Sequence, residues 1–291
     1  MRIFFVLAIV YGHITFYLLK NVNDILFMGG YLPFNLYPLG LNNLAVYGMF
    51  FVSGAVLEYT YKGLKSQKDY FKFLFKRFIR LYVIFWISLI VGIFLFIEVL
   101  NYGLFNILFE FTGFYIVLGN GSGNINIMGW FIAAIMSLYI FYPLLSKYVK
   151  KYKFIMVLLL LIISMVFRFI LSTYIPIDKL YMWFPLCNIF EFGLGIYIVQ
   201  NKLYPTTISD NKIIITLADL SFYIFIFHII LINAFRRFAE SNPYMISTGL
   251  MYTGYYSLIM LSVLIISFIA MKIDQHIQKY IVKHLNPQLL F

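Results

Sequence analysis

Arg2 and His13 lie in one apolar run, eleven residues apart. On an α-helix that is almost three whole turns, so the two share a face about 16 Å apart along the axis. An imidazole sunk in such a run is kept from water, which favours its neutral form. It can then act as a general base or take up an acyl group, although a packing histidine bonded to a neighbouring helix fits the same position. Arg77 and Arg80 stand one helical turn apart beside Lys76, where a later apolar run begins. Two guanidinium forks at that spacing can hold phosphate oxygens bidentately, which an ammonium does less well. From spacing alone, the plainer reading is a pair of anchors at the end of a membrane span.

His228 lies at comparable depth in a run near the C-terminus, with Ser221 seven residues earlier on the same face. Their separation of about 10 Å is too long for a direct hydrogen bond, so they are not a nucleophile and base by themselves. Asp219 and Tyr223 flank the serine. Trp130, Tyr139 and Tyr142 can stack on a sugar, and an interfacial aromatic belt explains Trp130 about as well. Glu191, with Asn188 nearby, is deep enough in its run to need a partner, whereas Glu58 and Arg168 are near enough to run ends to snorkel. Gly48 and Gly54, around Phe50, Phe51 and Ser53, signal close helix packing. His276 and His284 have no carboxylate or cysteine set around them, so no metal site is expected.

These side chains require a membrane scaffold. Of 291 residues, 63% are hydrophobic and 11% charged, and the mean hydropathy is +0.90, more apolar surface than a water-soluble domain can cover. The chain reads as an all-α, polytopic membrane bundle, a single domain over residues 1–291. About eight segments are long and apolar enough to cross: 3–19, 42–59, 77–97, 128–146, 154–172, 182–200, 213–235 and 248–271. Segment 103–118 carries Glu110 and would reach only about 24 Å against a hydrocarbon core of about 30 Å, so it is expected to be re-entrant or to lie at the outer surface. No small-x-small cleavage site follows the first run, which reads as a retained span.

With 103–118 not crossing, about 17 of the 22 lysines and arginines fall on the cytoplasmic side, and both termini with them. Gly119 to Asn126 then lies outside, directly before Trp130. The net charge of +11 sits at run ends and not in a groove with stacking aromatics, so nucleic acid is not an expected partner. Lys65, Lys68, Lys72 and Lys76 recur at helical spacing beside Leu64, Phe71 and Phe75. Ile273, Ile277 and Ile281 do so beside Lys272, Lys279 and Lys283. Both stretches suit helices lying on an anionic inner leaflet, which makes membrane lipids an expected partner. The single Cys187 excludes an intrachain disulfide and a cysteine-based metal cluster.

In order along the chain, these pieces resemble the membrane acyltransferase 3 family, which acylates sugars and other acceptors on surface polysaccharides and lipids. Arg2 to His13 looks like its Arg-x10-His span, Gly48-Met-Phe-Phe-Val-Ser-Gly54 like its second span, and Arg77-x-x-Arg80 like its arginine pair. Trp130-Phe-Ile with Tyr142-Pro143-Leu-Leu, Phe190-x-x-Gly193, and Ser221 to Tyr223 to His228 are similar to its later motifs. Phe131 to Met136 supply no acid, which looks like the branch lacking a glutamate after the tryptophan.

The resemblance implies an O-acyltransferase of the plasma membrane with no bound cofactor. Acyl-CoA would be the donor, acetyl-CoA being the family's commonest, and a surface sugar or glycolipid the acceptor. Arg77, Arg80, Lys76 and Arg2 would hold the donor's phosphates, with Trp130 and Tyr223 binding substrate. His13 would activate the acceptor hydroxyl or carry the acyl group, in the company of His228 and Ser221. The expected arrangement is a cationic doorway at the inner leaflet leading to an uncharged imidazole inside the bundle. The principal rivals are a transporter or flippase of a lipid-linked saccharide and a non-catalytic partner in polysaccharide export. Against transport stands the lack of an inverted repeat or a broken pair of spans.

Overall fold

In lipid, backbone N–H and C=O groups must be satisfied within a segment, so apolar runs of this length become helices. The structure is a computed structural model that describes residues 2–19, 41–62, 64, 66–97, 101, 103–114, 125–175, 177, 180–204, 211–242 and 249–284. Among the described residues the regular elements are all helical. They are α1 (Arg2–Leu19), α2 (Leu41–Tyr61), α3 (Gln67–Leu95), α4 (Leu104–Glu110), α5 (Gly129–Tyr152), α6 (Phe154–Tyr174), α7 (Leu180–Trp183), a 3-10 turn (Pro185–Asn188), α8 (Ile189–Gln200), α9 (Lys212–Ser241) and α10 (Gly249–His284). Among the described residues, 6 helices are long and apolar enough to cross a membrane: α2, α3, α5, α6, α9 and α10. The first run and the stretch Pro185–Gln200 are shorter apolar helices.

Two expectations change. Segment 182–200 is not one continuous helix: Pro185 lacks an N–H and restricts the residue before it, and the chain passes through α7 and a 3-10 turn before α8 begins. The lysine-bearing stretches Lys68 to Lys76 and Lys272 to Lys283 are not separate surface helices, because they are part of α3 and α10, while Lys65 lies outside the described residues. Ser66 starts α3: its Oγ accepts from the Asp69 N–H and donates to the Asp69 carboxylate. Of segment 103–118, residues 103–114 are described and carry one helix, Leu104–Glu110, while 115–124 lie outside the described residues. The carbonyls that end α4 are met from α3, where Trp86 Nε1 donates to Phe111 O at 2.8 Å and Tyr82 OH to Thr112 O at 2.9 Å. Glu110 accepts from the backbone N–H of Ile125, which fixes the approach to α5.

The chain divides into two compact units, one of Met1–Val46 with Asn211–Asp274, the other of Tyr47–Asp210 with Gln275–Phe291. In the first, α1 packs on α9, which is buried at every position from Leu220 to Ile232. Tyr11 meets Tyr256 edge-on, and Tyr255 OH donates to the Phe235 carbonyl. In the second, glycines let backbones touch. A Cβ on Gly54 would stand 2.1 Å from Phe192 O, and one on Gly195 2.1 Å from Phe51 O, so α2 and α8 meet with no side chain between them.

Candidate active site

His13 from α1 and His228 from α9 meet in the first unit. Nδ1 of His13 is 2.8 Å from Nε2 of His228, and the rings are nearly parallel at 7°. His228 is wholly buried, and its Nδ1 donates to the carbonyls of Phe225 at 2.7 Å and Ile224 at 3.2 Å in its own helix. Carbonyls only accept, so Nδ1 of His228 carries the proton and, in the neutral ring, Nε2 is an acceptor. His13 must therefore donate from Nδ1. In its neutral form that leaves Nε2 of His13 as the basic nitrogen. The sequence identified both histidines; their contact, which sets the tautomer of His13, was not visible in it.

Other expected site residues on α9 have partners within this unit. Tyr223 OH donates to Asp274 Oδ2 on α10 at 2.7 Å, with both side chains buried. Ser221 Oγ donates to the Ala218 carbonyl one turn back. Asp274 was missed in the sequence, where its only signal is being the one acid within the lysine-bearing tail helix. Arg2 is half-buried at the start of α1.

In the second unit, Arg77 lies among aromatic rings: its guanidinium carbon is 5.2 Å from the Tyr61 ring centre and 5.9 Å from those of Phe73 and Tyr139. Lys76 and Arg80 are exposed on the same helix. Trp130 is buried with its ring stacked on Trp183, 5.9 Å between centres.

Two residues expected to snorkel are instead bonded inside this unit. Glu58 is 6% exposed; Tyr142 OH and Ser146 Oγ donate to its Oε2 and Gln200 Nε2 to its Oε1. A buried carboxylate needs donors on both oxygens, and α5 and α8 supply them. Arg168 on α6 pairs with Glu191 Oε1 at 2.8 Å and bonds Tyr47 OH at 2.8 Å. Its Nε also reaches the Cys187 carbonyl at 2.9 Å, in the 3-10 turn. The break before α8 frees that carbonyl from helical pairing, and Arg168 and Ser164 satisfy it. Glu191 thus has the partner its depth required. Among the described residues no three His, Cys, Asp or Glu side chains converge as a metal-binding set.

The family profile described as an acyltransferase domain, of acyltransferase type 3, matches residues 1–207. No curated protein and no solved structure matches the chain. The matched stretch carries His13, Arg77, Arg80 and the helices through α8; α9, with His228, follows it.

Proposed function

Because the chain belongs to the membrane acyltransferase 3 family, we propose that it moves an acyl group, acetyl foremost, from acyl-CoA to a hydroxyl of a surface sugar or lipid-linked glycan. One observation carries the reading: Nδ1 of His13 held 2.8 Å from Nε2 of a buried His228 whose own Nδ1 is tied to its helix. A histidine held this way presents one basic nitrogen in one orientation, as an active base requires.

In the proposed step, Nε2 of His13 takes the proton of the acceptor hydroxyl as that oxygen bonds to the thioester carbonyl carbon. The tetrahedral intermediate collapses by breaking the C–S bond. The proton then passes from His13 to the departing CoA sulfur, which leaves an ester and a free thiol. Throughout, the imidazolium keeps its Nδ1–H donated to His228, so the contact that sets the tautomer also stabilises the charged ring. Ser221 and Tyr223, on the helix of His228, serve in this reading by holding that helix. Arg77 and Arg80, with Lys76 and Arg2, supply the positive charge that CoA's phosphates need. The same reading places the chain in the plasma membrane as one domain, with about eight spans and both termini cytoplasmic.

The test is transfer from labelled acetyl-CoA by purified protein. His13→Ala should abolish it while membrane insertion and melting are retained; an unchanged rate removes His13 from the reaction. With both substrates varied, initial-rate lines should intersect. Parallel lines together with a trapped acyl-histidine would instead make His13 the acyl carrier.

A further inference from the structure

At one end of the second unit, α2, α5 and α8 border a cavity of about 750 Å³. Lys62 at the end of α2, Lys147 and Lys150 on the last turns of α5, and Lys202 just past α8 all line it, with Glu58 and Gln200. Glu58 lines the same cavity but forms no ion pair with these cations. Both its oxygens are held by Tyr142, Ser146 and Gln200, and none of the four ammonium groups forms an ion pair or a side-chain hydrogen bond among the described residues.

Gln200 adds a second requirement. Its Nε2 donates to Glu58 Oε1 and to the Ser146 carbonyl, both at 3.0 Å. Those oxygens cannot donate, so the amide has one possible orientation. Its Oε1 is buried and has no hydrogen-bond partner among the described residues. A buried acceptor in that state is unfavourable until a donor reaches it.

The backbone supplies a third observation. Lys62 and Lys202 have φ of +47 and +56, the left-handed region where glycine or asparagine ordinarily ends a helix. Lysine at both places sets two cations on the cavity's rim at the expense of local strain. Around the opening, Leu144 and Tyr59 are 51% and 47% exposed, apolar surface suited to acyl chains.

We propose that this cavity binds a phosphate-bearing headgroup with a hydroxyl donor, that of an anionic phospholipid of the phosphatidylglycerol type. The lysines take the phosphate oxygens, and a small outward movement of the Gln200 side chain brings its buried Oε1 to the headgroup hydroxyl, which donates to it. The site is independent of the acyl transfer assigned to His13. The source of the phosphate is the lipid and not the nucleotide end of CoA, and the experiment separates the two.

Cys187 is the single cysteine and is buried, so a thiol-reactive dye reports unfolding of the full chain in detergent. Phosphatidylglycerol should raise the melting midpoint and phosphatidylcholine should not. Lys147→Ala with Lys150→Ala should lose about half or more of that shift, because two of the phosphate's cations go. Lys62→Gly with Lys202→Gly should lose a similar share while melting, without lipid, no lower than the parent, since glycine relieves the left-handed strain. That last result separates a lost ligand from a damaged fold. A phosphatidylglycerol shift equal in parent and both variants overturns the proposal. So does a shift produced by CoA alone and abolished by the same substitutions.

Discussion

Two imidazoles 2.8 Å apart act as one unit, because backbone carbonyls fix the proton of His228 and the acceptor this leaves on His228 fixes the proton of His13. Remove the acceptor on His228 and the His13 ring is free to place its proton on either nitrogen. His228→Ala should therefore lower kcat by about 10²-fold with little change in KM, the behaviour of a positioning residue. His228→Gln, whose amide oxygen can still accept, should recover part of the loss; equal rates in parent and His228→Ala would remove the orienting role. The arginines divide in a comparable way. Arg77 is surrounded by Tyr61, Phe73 and Tyr139, whereas Arg80 is exposed. Arg80→Ala should raise KM for the acyl donor about tenfold at constant kcat, as expected for loss of one charge-assisted phosphate contact. A fall in kcat alone would argue against phosphate holding. At this scale the sequence identified residue types well and pairings badly. Helical spacing relates side chains along one helix, so the meeting of His13 and His228 across 215 positions was beyond it. The same limit hid the partners of Glu58 and the ion pair of Arg168 with Glu191.

Helices that touch through glycine are the ones whose substitution is felt most. An alanine at Gly195 would set its Cβ 2.1 Å from the Phe51 carbonyl oxygen, a backbone atom that cannot rotate away. Gly195→Ala should destabilise the protein by about 2 kcal/mol or more, read as a lower melting midpoint. Gly254→Ala is the matched control: nothing lies within 4 Å of the added methyl, and alanine's better helix propensity should hold or raise the midpoint. The break before α8 depends on a different device. Arg168 bonds the Cys187 carbonyl and pairs with Glu191, so Arg168→Ala leaves both without their charged donor and should be destabilising by about 3 kcal/mol. If that loss is due to the stranded carboxylate, adding Glu191→Gln should restore a measurable part of it. Apolar length alone made the long helices legible. Pro185 was equally visible, but one proline barely moves a hydropathy average taken over about twenty residues, so the apolar run continues through it. The merging of lysine-bearing segments into α3 and α10 escaped notice for the converse reason: charge ends an apolar run without ending a helix.

In the proposed reading, orientation in the bilayer decides which residues of the molecule can meet a cytoplasmic donor, and that orientation is argued from charge and not from packing. The family match ends at residue 207, so the placing of α9 in the reaction rests on its geometry with α1. The expected side of each helix end rests on the lysines and arginines. Lys147, Lys150, Lys151 and Lys153 crowd the junction of α5 and α6, and such a cluster resists transfer across the membrane. Arg236 and Arg237 near the far end of α9 belong to the opposite, poorer side in the same count. Cysteine labelling can check this directly, since the native Cys187 is buried and leaves a quiet background to a membrane-impermeant maleimide. In intact cells Arg236→Cys should label and Lys150→Cys should label only after the membrane is opened. The reverse pattern would put the Lys76 to Arg80 cluster, which shares the side of Lys150 in this topology, out of reach of cytoplasmic acyl-CoA. Phosphate holding by that cluster would then be untenable, however well its spacing suits the ligand.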